Sequence, residues 1–247
     1  MIDANSTTEN FTRRALWAQI DLDAAAHNMR VIRKHVGPDV RIAAVVKANA
    51  YGHGAVELAR VFAENGADCF AVSSLDEGVE LRRYAGITKG IFILGHTDGR
   101  RTEELLAYHI EPAVFNLKNA EYYSEEASRL GQTLQVHIAI DTGMSRVGFL
   151  PSEETIEAIK KIARLPRIEI QGIFTHFATA DEKDKTFTHE QFKRFMWVCT
   201  RLENEGVHIP IRHCCNSAAT LEMPEYHLDM VRPGIIQYGC APSPDVS

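Results

Sequence analysis

Eight short apolar runs recur along the chain, with helix-patterned stretches between them, and this alternation constrains the fold more than any other feature. The runs are Arg41–Lys47, Cys69–Ser73, Gly90–Leu94, Glu111–Phe115, Gln135–Asp141, Glu169–Thr175, Ile211–Cys215 and Leu228–Val231. Several are apolar at nearly every position, as strands covered on both faces are. Between them, Ala55, Leu58, Ala59 and Phe62 form one helical stripe, closed by Asn65-Gly66. Ser74 and Glu77 have capping-box spacing at the head of another helix. Phe192, Phe195, Met196, Cys199 and Leu202 share a face of a third, with Thr188 and Gln191 as its capping box and Gly206 as its stop. Strands alternating with helices imply a parallel sheet. Eight such units in about 200 residues fit an α/β fold of the (β/α)8 TIM-type barrel. An open doubly wound sheet has the same periodicity and is the alternative. A further strand is expected at Trp17–Leu22, ahead of a first helix that Asp23 caps.

Composition narrows the function classes. Hydrophobic residues make up 45% of the 247 and charged residues 24%, the balance of a soluble globular protein. The net charge of -6 argues against a nucleic-acid partner. No run approaches the roughly 20 apolar residues of a membrane helix, and Met1–Asn10 lacks the apolar core of a secretory signal. The five cysteines include no C-x-x-C pair, which points to a reducing, cytoplasmic setting rather than a disulfide framework. His53, His176 and His213 lack the spacing of zinc ligands, so no metal is expected.

Ile42–Val46 is an apolar run that delivers Lys47 to the C-terminal end of a strand, where barrel active sites are built. Walled by apolar neighbours, its amine loses a proton more easily, and a neutral amine can condense with an aldehyde. A lysine that merely ends a strand and reaches solvent is the ordinary alternative. Arg146 offers the planar fork that suits a carboxylate, although a lone loop arginine is more often solvated. A lone histidine after a strand, such as His176, is more often structural. The hydroxyl of Ser217 and the backbone N–H groups near Gly234 and Ile235 can donate to an anion, glycine admitting a close approach.

Taken together, these segments resemble one family. Ala44-Val-Val-Lys-Ala-Asn-Ala-Tyr-Gly-His-Gly54 is closely similar to the cofactor-attachment signature of the alanine racemases. Asp141-Thr-Gly-Met-Ser-Arg-Val-Gly148, Thr175-His-Phe-Ala-Thr-Ala-Asp181, His213-Cys-Cys-Asn-Ser-Ala-Ala219 and Val231-Arg-Pro-Gly-Ile235 resemble further segments of that family, in the same order. The resemblance implies pyridoxal 5'-phosphate (PLP) as cofactor, with Lys47 carrying it and Tyr51 binding its phosphate. It implies Arg146 and Met144 at the substrate, Arg146 also approaching the cofactor's phenolic oxygen. His176 is expected against the pyridine ring and in contact with Arg232. Ser217, Gly234 and Ile235, supported by Asn216, are expected at the phosphate. Arg232 would face the pyridine nitrogen. An arginine keeps its proton, so that nitrogen would stay unprotonated and the ring would be a weaker electron sink, which limits side reactions.

Two departures stand out. Ala139 occupies the position of a lysine that many members carbamylate to brace the loop arginine, and Ser145 replaces a frequent glycine. The family's barrel is followed by a β-rich domain that supplies a tyrosine base to the partner subunit. No tyrosine here matches that motif. The expected organisation is a barrel over 1–239, a strand within 12–22 that packs on the absent domain, and a linker over 240–247. The implied function is racemisation of alanine for cell-wall precursors by two bases, Lys47 being one. The full-length protein is expected to be a homodimer, and this chain alone weak or inactive. A serine or broad-specificity racemase, and a non-catalytic PLP-binding protein, are the competing functions.

Overall fold

Each of the eight runs forms a strand in the computed structural model, which describes residues 17–246. The strands are β1 (Arg41–Val45), β2 (Cys69–Val72), β3 (Gly90–Ile93), β4 (Ala113–Val114), β5 (Leu134–Ala139), β6 (Ile168–Phe174), β7 (Ile211–His213) and β8 (Met230–Val231). All their pairings are parallel, in two sheets ordered β3-β2-β1-β8 and β4-β5-β6-β7. The sheets join at both edges. Ile93 N–H donates to Glu111 O at 2.8 Å and Glu111 N–H to Ile91 O at 2.9 Å. On the other side, Asp229 N–H donates to Arg212 O at 3.1 Å and Arg232 N–H to Cys215 O at 3.0 Å. The ring is therefore a closed barrel rather than an open sheet.

Alternation along each strand sorts the side chains. Ile42, Ala44 and Val46 pack outward against the helices, while Ala43 and Val45 face the interior with Cys69, Ala71, Phe92, Ile211 and Met230. Ala113, Ala139 and Phe174 continue the interior layer. So many alanines leave room inside for the buried imidazoles of His137 and His213.

The helices are α1 (Leu22–Val36), α2 (Ala55–Asn65), α3 (Leu75–Glu80, continued by a π-helical turn Leu81–Ala85), α4 (Thr102–Ala107), α5 (Leu117–Arg129), α6 (Glu153–Ile162), α7 (Thr186–Asn204) and α8 (Ser217–Glu222). The expected stripe of α2 is its buried face, with Leu58 and Phe62 fully enclosed. Truncating such a phenylalanine to alanine costs about 3–5 kcal/mol.

Four expectations change. Residues 17–21 form no strand and Leu22 already opens α1; positions 12–16 lie outside the described residues. Asp21, not Asp23, caps α1, accepting from Ala24 N–H at 2.9 Å. Thr188 and Gln191 do not cap α7, which begins at Thr186, because both are buried within it. The stretch after Gly239, expected as a linker, packs back onto the barrel: Val246 is buried and Ser243 Oγ donates to Asp181 O.

Candidate active site

Lys47 follows β1 directly, and the end of that strand is pinned. Val45 O accepts from Gln237 Nε2 at 2.6 Å and from Tyr238 Oη at 2.7 Å. The chain then makes one helical turn, Lys47–Tyr51, in which Ala48, Asn49, Ala50 and Tyr51 have φ of 52–54°. This is the left-handed region, which costs a non-glycine residue roughly 1 kcal/mol or more. Polar contacts hold it. Glu77 accepts from Ala48 N–H at 2.8 Å, from Ser73 N–H at 2.8 Å and from Ser73 Oγ at 2.9 Å. Asn49 Oδ1 accepts from Ala55 N–H at 2.8 Å, at the head of α2. The turn brings the Tyr51 ring back under the lysine, its centroid 5.8 Å from Nζ.

Lys47 is half-buried, and its pKa lies below the ordinary lysine value. Burial is the largest cause and the Arg146 guanidinium the next; Glu77 opposes them and Arg232 adds a little. Burial also raises the Tyr51 phenol. Arg146 stands in the loop after β5, folded around Asp141, whose carboxylate accepts from the N–H groups of Gly143 (3.0 Å), Ser145 (2.9 Å) and Arg146 (3.1 Å). Ser145 has φ of 57°, which explains why glycine suits that position. A Cβ on Gly148 would lie 2.3 Å from Asp141 N, so the loop closes only on glycine.

His176 follows β6. Burial, then Arg232, Arg146 and Lys47, pull its pKa down to about 3, so the ring is neutral. Gln191 of α7 donates to His176 O at 3.1 Å and to Thr142 Oγ1 at 3.2 Å, and accepts from Ala178 N–H at 2.8 Å. It ties together the loops after β5 and β6. The expected contact of His176 with Arg232 is not a hydrogen bond. Arg232 donates instead to His213 Nδ1 (2.9 Å), Thr175 O (2.6 Å) and Cys214 O (3.3 Å), acceptors that the ends of β6 and β7 bring closer. Arg232 is 3% exposed; burial lowers its pKa to about 10, which leaves it protonated at neutral pH.

Tyr51, Ser217 and Gly234 converge on a small cradle. Gly234 N–H donates to Ser217 Oγ at 2.9 Å. A Cβ on Gly234 would sit 3.2 Å from Tyr51 Oη and 3.8 Å from Ser217 Oγ, inside the space these groups border. Ile235 and Asn216 line the same space, and the side-chain oxygen of Asn216 also caps α8, accepting from Ala219 N–H at 3.1 Å. The cradle belongs to a cavity of about 280 Å³, and a larger one of about 680 Å³ adjoins it. Lys47, Leu94, Met144 and His176 line both. Arg146 lines the larger cavity and Arg232 the smaller.

Sequence reasoning did not single out Ser73, His96, Phe115 and Phe174, which line the larger cavity. Their common signal was available: each stands at or just beyond the C-terminal end of an apolar run. Glu77, Gln191 and Gln237 were missed as supports because their partners are distant in sequence.

Fold and site define a class: a closed parallel barrel with a lysine at the end of its first strand, facing an anion cradle built after the seventh and eighth. Comparison with known proteins makes this specific. The family described as "Alanine racemase, N-terminal domain" matches residues 20–242, and the chain belongs to it. It is 50% identical to an alanine racemase of Clostridium tetani over 234 residues, covering 95% of this chain and 60% of the relative. The alanine racemase structure of Clostridium difficile 630 matches with a TM-score of 0.91 at 42% identity, covering 94% of this chain and 60% of that one. Its complex with cycloserine matches with a TM-score of 0.92 at 41% identity, covering 95% and 65%. The chain thus spans about 60% of the length of the curated relatives it matches.

Proposed function

We propose that this chain binds PLP through Lys47 and forms the cofactor-binding part of an alanine racemase that interconverts L- and D-alanine for cell-wall precursors. One observation carries the reading: the depressed amine of Lys47 stands where the anion cradle meets the larger cavity. The donor set fits the cofactor. Tyr51, Ser217 and the backbone at Gly234 and Ile235 suit a phosphate, and Gly234 keeps open the space that a Cβ would fill.

Bound PLP supplies electron withdrawal from the α-carbon of an attached amino acid. The residues of this chain do the rest. The fork of Arg146 holds the substrate carboxylate, and Met144 bounds the space beside it. Neutral His176, which lines both cavities, would border the bound cofactor without adding charge. Arg232 keeps its own proton, so it does not protonate the ring nitrogen. Lys47 Nζ moves a proton on one face of the α-carbon. Racemisation requires the other face to be served too, because a single base returns the proton to the side it left. Among the described residues Tyr51 is the tyrosine lining the cavities, and its hydroxyl belongs to the cradle. The resemblance to the alanine racemases supports a tyrosine as that second base, contributed in a homodimer by the partner subunit.

Borohydride reduction with PLP, followed by mass mapping, tests the cofactor and its attachment together. The label is expected on the peptide bearing Lys47 and is lost in Lys47→Ala. No label, or a label elsewhere, overturns the reading. The 247-residue chain alone is expected to racemise alanine slowly if at all. Turnover at an ordinary enzyme's rate of about 1 s⁻¹ or more by this chain alone overturns the two-base assignment.

A further inference from the structure

A polar chain crosses the barrel interior that the proposed chemistry does not use. Arg232 Nη1 donates to His213 Nδ1 at 2.9 Å. His213 Nε2 lies 3.1 Å from His137 Nδ1, and His137 Nε2 lies 2.7 Å from Glu111 Oε2. Arginine can only donate, so His213 Nδ1 must accept and its proton sits on Nε2. That N–H donates to His137 Nδ1, which puts the proton of His137 on Nε2, facing Glu111. A second proton on either ring would set two N–H groups against each other. Both imidazoles are therefore neutral, and His137 Nε2–H donates to Glu111 Oε2. Burial and the Arg232 charge hold His213 well below its ordinary pKa, in agreement.

The surroundings are shaped for this chain. Phe92 stacks on His137 with centroids 4.8 Å apart, and Phe174 stacks on His213 at 5.2 Å. Gly172 of β6 is the neighbour that lets the rings meet: a Cβ there would lie 2.4 Å from His137 Nδ1. The register between β5 and β6 shifts between Val136 and His137, at the same place. Glu111 lines a cavity of about 510 Å³ at the N-terminal mouth, with Gly90, Leu134, Gln135 and Glu169. Arg232 is at the opposite mouth.

We propose that Glu111 and His137 are positioning residues for Arg232: a carboxylate at one mouth of the barrel fixes the tautomers of two imidazoles and thereby orients a guanidinium at the other. Each bond polarises the next, and the distant carboxylate balances a charge buried without an adjacent anion. The consequence for the cofactor rests on the reading of Arg232 as the partner of the PLP ring nitrogen; the tautomers do not.

The test uses the whole nitrogen-15-labelled chain. Long-range nitrogen–proton spectra at neutral pH, without PLP, report which imidazole nitrogen carries the proton. His137 and His213 are each expected as the Nε2–H form. Glu111→Gln keeps an acceptor oxygen and is expected to keep both forms. Glu111→Leu removes the acceptor and is expected to mix the tautomers of both rings. PLP affinity, followed by visible absorption, is expected to fall roughly tenfold in Glu111→Leu, the worth of one charge-assisted hydrogen bond, and less than about threefold in Glu111→Gln. If Glu111→Leu does not fold, His137→Phe, which retains the stack on Phe92, tests the same loss at His213. A doubly protonated ring in the wild type, or an unchanged His213 tautomer in a folded Glu111→Leu or His137→Phe protein, overturns the proposal. Expected tautomers in a wild-type chain that binds no PLP overturn the cofactor reading instead, and leave the positioning chain standing.

Discussion

A lysine amine reacts with an aldehyde only when neutral, so the neighbours of Lys47 decide where on the pH scale PLP attachment occurs. Burial and Arg146 press its pKa down, while Glu77 presses it up. A depressed pKa gives a larger neutral fraction at neutral pH than a free lysine has. The pH midpoint of reductive PLP labelling is therefore expected below the ordinary value of about 10.4. Removing the positive neighbour with Arg146→Leu should move that midpoint upward. Removing the negative one with Glu77→Gln should move it downward. If neither substitution moves it, the electrostatic account of Lys47 is wrong. Lys47 was legible in the sequence as the end of an apolar run, and Arg146, 99 residues on, came to the same site only through the family resemblance. Glu77 was not legible as a neighbour, because it reads simply as the far end of a capping box.

At the scale of elements, the turn after β1 is strained and its support is concentrated in one side chain. Glu77 accepts three hydrogen bonds from Ala48 and Ser73, while Ser74 Oγ accepts the ordinary cap bond from Glu77 N–H at 3.4 Å. Ser74→Ala should cost about 1 kcal/mol, as a lost cap does. Glu77→Ala should cost more, about 2 kcal/mol, because it removes three hydrogen bonds to a charged acceptor. Urea denaturation of the two variants measures the difference, and an equal cost would remove Glu77 as the clamp of the turn. The strands were readable because continuous apolar runs buried on both faces carry their own signal. The left-handed turn was not readable. Ala48, Asn49, Ala50 and Tyr51 have no glycine among them, and tertiary contacts impose a conformation that local preference opposes. Gln191 misled for a similar reason: its spacing from Thr188 suits a cap, yet burial turns it toward the loops after β5 and β6.

At the scale of the whole molecule, the barrel interior is an apolar layer threaded by imidazoles, and this makes the fold sensitive to acid. Glu111 and His137 sit within apolar runs, where one sequence shows them only as interruptions of a pattern. Closure of the barrel joins them to His213 and Arg232. The stability consequence follows from linkage. Folded His213 stays neutral well below pH 6.5, whereas the unfolded chain protonates it there. The unfolded state then binds more protons, so stability rises with pH through this window and is lost as pH falls below about 6.5. One excluded proton costs about 1.4 kcal/mol per pH unit, so His213 alone removes about 2 kcal/mol between pH 6.5 and 5. His176, held to about 3, adds in the same direction, less strongly because it opens onto the cavity. Carboxylates held low by arginines, such as Asp98 beside Arg100, titrate in a lower window and leave this one clear. Urea midpoints at pH 7.5 and 5.0 should differ accordingly in the wild type, and the difference should shrink in a folded His213→Gln variant. Equal midpoints at the two pH values would mean that the imidazoles are protonated in the native barrel, and the geometry of four groups in a single donor direction would have to be abandoned.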